Sequence, residues 1–243
     1  MKRFFAVFLI LFAAPALAQN LSSADKDAIN AQIRAYILEN PEIIVEAMQV
    51  LEQREQNAKA NADRDLVASM RGPLEDDGYS LIAGNPDGDV TLIEFLDYRC
   101  GYCKQAHDGV KALIASDPNI KFIIKEFPIL GPESTFASRA AMATLKQGAD
   151  AYLKFNDAMM RHRGNLDQPT VMRIAGEIGV DQAQLAEDIQ DPQIAANIRE
   201  TYSLARRLDI SGTPAFIIGD TVVRGFLPYD SLKEIVEEQR ERG

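Results

Sequence analysis

The only two cysteines of the chain stand together as Cys100-Gly101-Tyr102-Cys103. An apolar, strand-like run precedes them, Val90-Thr91-Leu92-Ile93-Glu94-Phe95-Leu96, and a helix-compatible segment follows from Lys104 to about Ser116. A CxxC at a strand end that opens a helix can act as a dithiol redox site. The unpaired N–H groups and partial positive charge of a helix N-terminus favour thiolate at Cys100. Thiolate is the form that attacks a disulfide sulfur. Cys103, one helical turn later, is close enough to resolve the mixed disulfide. A zinc site would need about four ligands; the chain has no second cysteine pair, and its only histidines are His107 and His162. A structural disulfide within one helical turn would constrain almost nothing.

The N-terminus speaks to the compartment. Met1-Lys2-Arg3 is a short basic region, Phe4 to Ala14 is an apolar run, and Ala16-Leu17-Ala18 has the small-residue cleavage pattern. A signal peptide is therefore expected over residues 1–18, with the mature chain starting at Gln19. The rival, an uncleaved anchor, is disfavoured because the apolar run is short for a membrane span. Export would put the dithiol in an oxidising compartment, a bacterial periplasm. An exported chain whose cysteines form only a CxxC uses them for exchange rather than for stapling. The 243 residues are 47% hydrophobic, enough for one domain with a substantial core and something extra. The formal charge of −10 argues against nucleic acid or anionic lipid as a partner.

Three regions follow along the mature chain. Residues 19–70 read as helices, with Ile29, Ile33 and Ile37 at helical spacing. Asn40-Pro41 reads as an N-cap with proline at the first helical position. From Pro41 to about Met70 there is no further breaker, a stretch long enough to span roughly 45 Å. Its first half is amphipathic (Ile43, Ile44, Ala47, Met48, Leu51), while its second half is almost wholly polar or alanine. Such a helix is a solvated strut or part of an oligomer. Residues 71–79 read as a linker, because Gly72-Pro73 and Gly78 punctuate them. From residue 80 to 243 the pattern is α/β: strands at Val90–Leu96 and Lys121–Phe127, then at Ala215–Ile218 and Thr221–Arg224, and a last helix from about Tyr229 to Arg240. Gly219-Asp220 between the late strands is a hairpin signal. Helical segments over about 131–209 interrupt this module and are expected to cap the dithiol.

Over about Ser80 to Arg240 the chain resembles the DsbA-type branch of the thioredoxin-like superfamily. The resemblance rests on Phe95-Leu96-Asp97-Tyr98-Arg99-Cys100-Gly101-Tyr102-Cys103-Lys104, on Lys125-Glu126-Phe127-Pro128-Ile129-Leu130-Gly131-Pro132, and on Ser211-Gly212-Thr213-Pro214-Ala215-Phe216. The expected fold is thioredoxin-like with an inserted helical domain and an N-terminal helical extension. That extension resembles the one in ScsC-type proteins, where it drives oligomerisation, in some relatives to a trimer. The resemblance implies Cys100 as nucleophile and Cys103 as resolving thiol. It implies Pro214 as a cis-proline facing the dithiol, with Thr213 offering its backbone to an extended substrate; an ordinary trans turn proline is the alternative. Glu94, six residues before Cys100, matches the buried acid of the family and would accept the Cys103 proton. A solvent-facing strand residue is the alternative, since Leu92, Ile93 and Phe95 make both faces of the strand apolar. Lys125 and Glu126 are not expected to be catalytic.

Gly101-Tyr102 between the cysteines and Thr213 before the proline resemble DsbC-type isomerases; a DsbA-type oxidase usually carries Pro-His and Val there. The expectation is a disulfide isomerase or reductase acting on exported cysteine-containing proteins, with a DsbA-like oxidase as the alternative. A DsbD-like membrane reductase is implied in the first case and a DsbB-like oxidase in the second. A homo-oligomer is expected and no cofactor. A copper-handling role would use Cys100, Cys103 and His107, the last sharing a helix face with Cys103, as a soft ligand set; the plainer expectation for His107 is an exposed helix residue. A structural or adhesion role, with the long helix as the working part and the CxxC vestigial, ranks with copper handling far below dithiol exchange.

Overall fold

The computed structural model describes residues 22–242, so the expected leader over 1–18 lies outside the described residues. The chain forms two compact units, one up to Glu55 and one from Gln56 on.

The first unit holds α1 (Ser23–Glu39) and the start of α2 (Glu42–Ser69). Ser22 opens α1 with a capping box: its hydroxyl accepts from the Asp25 N–H, and the Asp25 carboxylate accepts from the Ser22 N–H. Asn40, expected to cap the next helix, turns the other way. Its Nδ2 donates to Tyr36 O at 2.9 Å and so closes α1. No residue of α1 is buried, and Ile29, Ile33, Tyr36, Ile44, Met48 and Leu51 are all exposed. The apolar face read from the sequence is therefore present and bare in the single chain.

The second unit is a mixed five-stranded sheet in the order β1-β3-β2-β4-β5. Its strands are β1 (Leu81–Gly84), β2 (Val90–Leu96), β3 (Ile120–Glu126), β4 (Ala215–Ile218) and β5 (Thr221–Arg224). Only β2 and β3 run parallel, and α4 (Gly101–Ser116) supplies the crossover between them. Gly219 turns between β4 and β5 at a φ of +59°, which glycine adopts without a Cβ clash. The edge strand β1 was not anticipated: Gly84 and Asn85 interrupt a run of only four residues. It pairs antiparallel with β3, and a side chain on Gly84 would meet Ile120 O at 2.5 Å.

Alternation along β2 sorts its residues between two cores. Leu92 and Leu96 face α4 and α10 (Tyr229–Arg242), packing with Cys103, Val110, Leu113, Leu232 and Val236. Ile93 and Phe95 face the other way, with Ile123, Phe127, Leu204 and Leu208. Val67, Met70 and Leu74 complete this second core. Residues 71–79 are thus not a free linker. They carry a short helix, α3 (Arg71–Glu75), whose Leu74 is buried, and the Glu75 carboxylate accepts from Thr91 Oγ1 at 3.2 Å. Gly72-Pro73 looks like loop in composition, yet flanking Met70 and Leu74 each gain about 1.5–3 kcal/mol by leaving water. The insert follows β3 as α5 (Pro132–Leu145), α6 (Ala149–Arg161), α7 (Gln168–Glu177), α8 (Gln182–Asp188) and α9 (Pro192–Arg207).

Candidate active site

Cys100 is the N-cap of α4, in extended conformation, and its sulfur accepts a hydrogen bond from the Cys103 N–H at 3.4 Å. As a thiol it donates to Thr213 O at 3.1 Å. The Thr213–Pro214 peptide bond is cis, and it brings the start of β4 beside the dithiol. Cys100 is 7% exposed and Cys103 is fully buried. The hydrogen bond from the Cys103 side chain, aided by Thr213 and by the N–H groups of Cys103 and Tyr102, lowers the Cys100 pKa to about 5 against the opposing effect of burial. Burial does the reverse to Cys103: together with its bond to Cys100 and the nearby Glu94 charge, it holds that thiol protonated. The two sulfurs are thus unequal, Cys100 favoured as thiolate and Cys103 held as thiol.

The loop that presents Cys100 is fixed by Asp97, which is completely buried. Its carboxylate accepts from the N–H groups of Arg99 (2.8 Å) and Leu130 (3.0 Å) and from Ser134 Oγ (2.8 Å), while its carbonyl accepts from Cys100 N at 3.0 Å. Arg99 donates to Leu130 O at 2.7 Å. The segment 125–132 is therefore tied to the dithiol loop by Asp97 and Arg99. The sequence reading gave Asp97 no role; an Asx turn just before the cysteines was the available signal. Tyr102 is exposed and lies 6.3 Å, ring to ring, from Phe226.

Glu94 is buried, at 3% exposure, on the face of β2 that looks toward α4. It is not a solvent-facing strand residue. Burial, the negative charge of Glu126 and that of Cys100 raise its pKa to about 8. Glu126 lies on the same face of the sheet, because Glu94 pairs with Ile124 two residues before it. Tyr98 Oη and Tyr152 Oη donate to Glu126 Oε1 at 2.8 and 2.5 Å, and Asn156 Nδ2 donates to Tyr98 Oη. Burial brings Glu126 up to about 7 despite these donors. Lys125 points to the opposite face, fully buried, with its Nζ 2.6 Å from Asp77 Oδ2. Glu126 and Lys125 support the site without reaching the sulfurs.

His107 corrects an expectation. It is buried rather than exposed, and its Nε2 lies 2.9 Å from Asp157 Oδ1 on α6. Residues four apart on a helix do share a face, but here the insert covers that face. The proposed copper set is therefore not assembled around the sulfurs. No group of three or more potential metal-ligating side chains occurs among the described residues.

A fold of this order, with a helix-capping CxxC opposite a cis-proline, defines a thioredoxin-like dithiol domain. Residues 91–237 match the model of the DSBA-like thioredoxin domain, and the chain belongs to that family. Residues 25–58 match the copper resistance protein ScsC N-terminal domain. A thioredoxin-like oxidoreductase from Silicibacter pomeroyi is 40% identical with a TM-score of 0.68, over 70% of this chain and 98% of that one. A Proteus mirabilis ScsC variant with a linker deletion is 27% identical with a TM-score of 0.70, over 93% of this chain and 100% of that one. The chain is also 26% identical, over 168 residues, to the Na(+)/H(+) antiporter NhaA 3 of Salinispora tropica. That match takes in 66% of this chain but spans only 26% of the antiporter's length.

Proposed function

We propose that this protein is a periplasmic thiol:disulfide exchange enzyme that works as an isomerase or reductase on exported proteins. One observation carries the reading. A thiolate at Cys100 caps its own helix beside the cis Thr213–Pro214 bond, and a protonated Cys103 is buried beneath it. In the reduced form Cys100 attacks a substrate disulfide, forming a mixed disulfide and releasing a substrate thiolate. In isomerisation that thiolate attacks another substrate disulfide, and a substrate sulfur finally displaces Cys100. In reduction Cys103 attacks Cys100 instead, and Glu94 takes the Cys103 proton. Thr213 and Pro214 hold the substrate segment.

The isomerase direction draws support from Gly101-Tyr102 and Thr213, which depart from the Pro-His and Val of DsbA-type oxidases. It also draws support from the ScsC-like N-terminal segment and its bare apolar face, which suits a homo-oligomer. A DsbD-like membrane reductase would return the site to the dithiol. The expected leader over 1–18 supports export, and no described helix is long and apolar enough to cross a membrane. One observation favours a second reading. A Cys100 pKa of about 5 stabilises the reduced form, as befits an oxidase recharged by a DsbB-like partner.

Reactivation of scrambled, fully oxidised ribonuclease by the reduced protein decides between them. Recovery of activity is expected. No recovery, with fast oxidation of reduced ribonuclease by the disulfide form, would overturn the isomerase reading. A companion truncation to test the oligomer should end at Glu55, because Val67 and Met70 belong to the core of the second unit.

A further inference from the structure

Behind the dithiol, on the face of the sheet covered by α4 and α6, lies a cavity of about 300 Å3. Its walls are mainly apolar, with Val110, Ile114, Phe122, Ile124 and Leu153 prominent. It reaches the surface at Lys111 and Leu153, which are about half exposed, at 50% and 41%. One acidic group, Glu94, stands in the inner wall. Glu94 is only 3% exposed, and none of the hydrogen bonds among the described residues reaches its carboxyl, which lines the cavity.

The nearby cations do not supply Glu94 with a donor. Lys111 Nζ is 2.5 Å and His107 Nε2 2.9 Å from Asp157 Oδ1, and Arg161 Nε donates to the same carboxylate at 3.1 Å. Asp157 thus occupies the positive groups at the mouth. Further in, Glu94 shares its surroundings with the negative charges of Glu126 and Cys100. The inner end is therefore an apolar pocket with a carboxyl that no cation pairs and that keeps its proton near neutral pH until one does. A small apolar body carrying a compact cationic donor would meet both needs, since paired charges in a dry site favour one another strongly.

We propose that this cavity is a binding site for a small lipophilic amine or amidine, whose apolar body fills the space between α4 and the sheet and whose cationic head pairs with Glu94. The site is separate from the substrate face at Thr213 and Pro214, and the proposal does not depend on the direction of disulfide exchange.

The test is calorimetric titration of the reduced full chain with phenethylamine, with 2-phenylethanol as the uncharged counterpart. The amine is expected to bind at least tenfold more tightly than the alcohol. Glu94→Gln should abolish that preference while leaving the alcohol's affinity unchanged. Ile114→Trp, which fills the apolar space but keeps Glu94, should weaken both compounds at least tenfold. A circular dichroism melt establishes that each variant is folded. Absence of amine binding to the wild type would overturn the proposal, as would equal amine affinity in wild type and Glu94→Gln, or undiminished binding in a folded Ile114→Trp.

Discussion

Replacing Cys103 by alanine should raise the pKa of Cys100, and the structure says roughly how far. The Cys100 thiol falls from 9.0 to about 5, and the hydrogen bond from Cys103 is the largest cause. At 1.36 kcal/mol per unit, the whole shift corresponds to roughly 5 kcal/mol in favour of the thiolate. Cys100 is 7% exposed but lies at the helix end rather than deep in the core, so part of this is screened and roughly 2–4 kcal/mol is the useful figure. Cys103→Ala removes the leading contribution and leaves the backbone N–H groups and Thr213. A rise of at least about one unit is expected, equivalent to a roughly tenfold loss of thiolate at pH values well below the wild-type midpoint. The assay is the pH dependence of iodoacetamide alkylation, checked by the far-ultraviolet absorbance of thiolate. Wild type should titrate near pH 5. The sign carries over to stability. A depressed acid stabilises the folded reduced form fully above its unfolded pKa, and this is lost as pH falls through the folded value. The reduced protein should therefore gain stability relative to the oxidised protein as pH rises from about 5 toward 9. If Cys103→Ala titrates within a few tenths of a unit of wild type, the helix terminus alone makes the thiolate and the argument from the paired sulfurs is wrong.

Other outcomes follow from the buried charges and the sheet edge. Glu94→Gln should slow attack by Cys103 on the mixed disulfide by a factor of about 10² or more, the usual scale of a positioned base, in rapid-quench kinetics with a model peptide. It should also flatten the pH profile of stability: Glu94 titrates near 8, above its ordinary 4.5, so its ionisation costs stability as pH rises through that window. Lys125→Met would leave Asp77 buried without its cation, and urea denaturation should show a loss of about 3 kcal/mol or more. Gly84→Ala would set a Cβ 2.5 Å from Ile120 O at a φ of +67°, so β1 should detach; hydrogen exchange at Leu81–Gly84 should speed up while the α4 amides stay protected.

The dithiol was legible because its chemistry sits in adjacent residues. Cys100, the strand before it and the helix after it can be read from local pattern, and α4 ends at Ser116 as expected but starts at Gly101, three residues before Lys104. Glu94 was harder. Apolar residues on both faces of β2 hid its direction, which became clear once the two cores were seen to divide Leu92 and Leu96 from Ile93 and Phe95. His107 and the 71–79 segment were misread for one reason: each is buried by a partner distant in sequence. Asp157 lies fifty residues beyond His107, and Leu74 packs on strands that have yet to appear when the chain is read forward. Asp97 also escaped notice, since its donors Leu130 and Ser134 come from beyond β3. Local pattern gives the elements; which polar groups those elements enclose depends on long-range packing.

The unequal sulfurs have an electrochemical consequence. At neutral pH Cys100 carries no proton and Cys103 keeps its own. Reducing the disulfide then takes up two electrons but a single proton. For such a couple the midpoint potential falls by roughly 30 mV per pH unit, half the slope of a dithiol that binds both protons. Glu94 bends that line. The charge on Cys100 raises its pKa, so each reduction draws a further fraction of a proton onto the carboxyl as pH approaches 8. The coupling of this dithiol to protons is thus set by three groups, two sulfurs and the acid behind them, and its potential follows pH with less than the usual sensitivity.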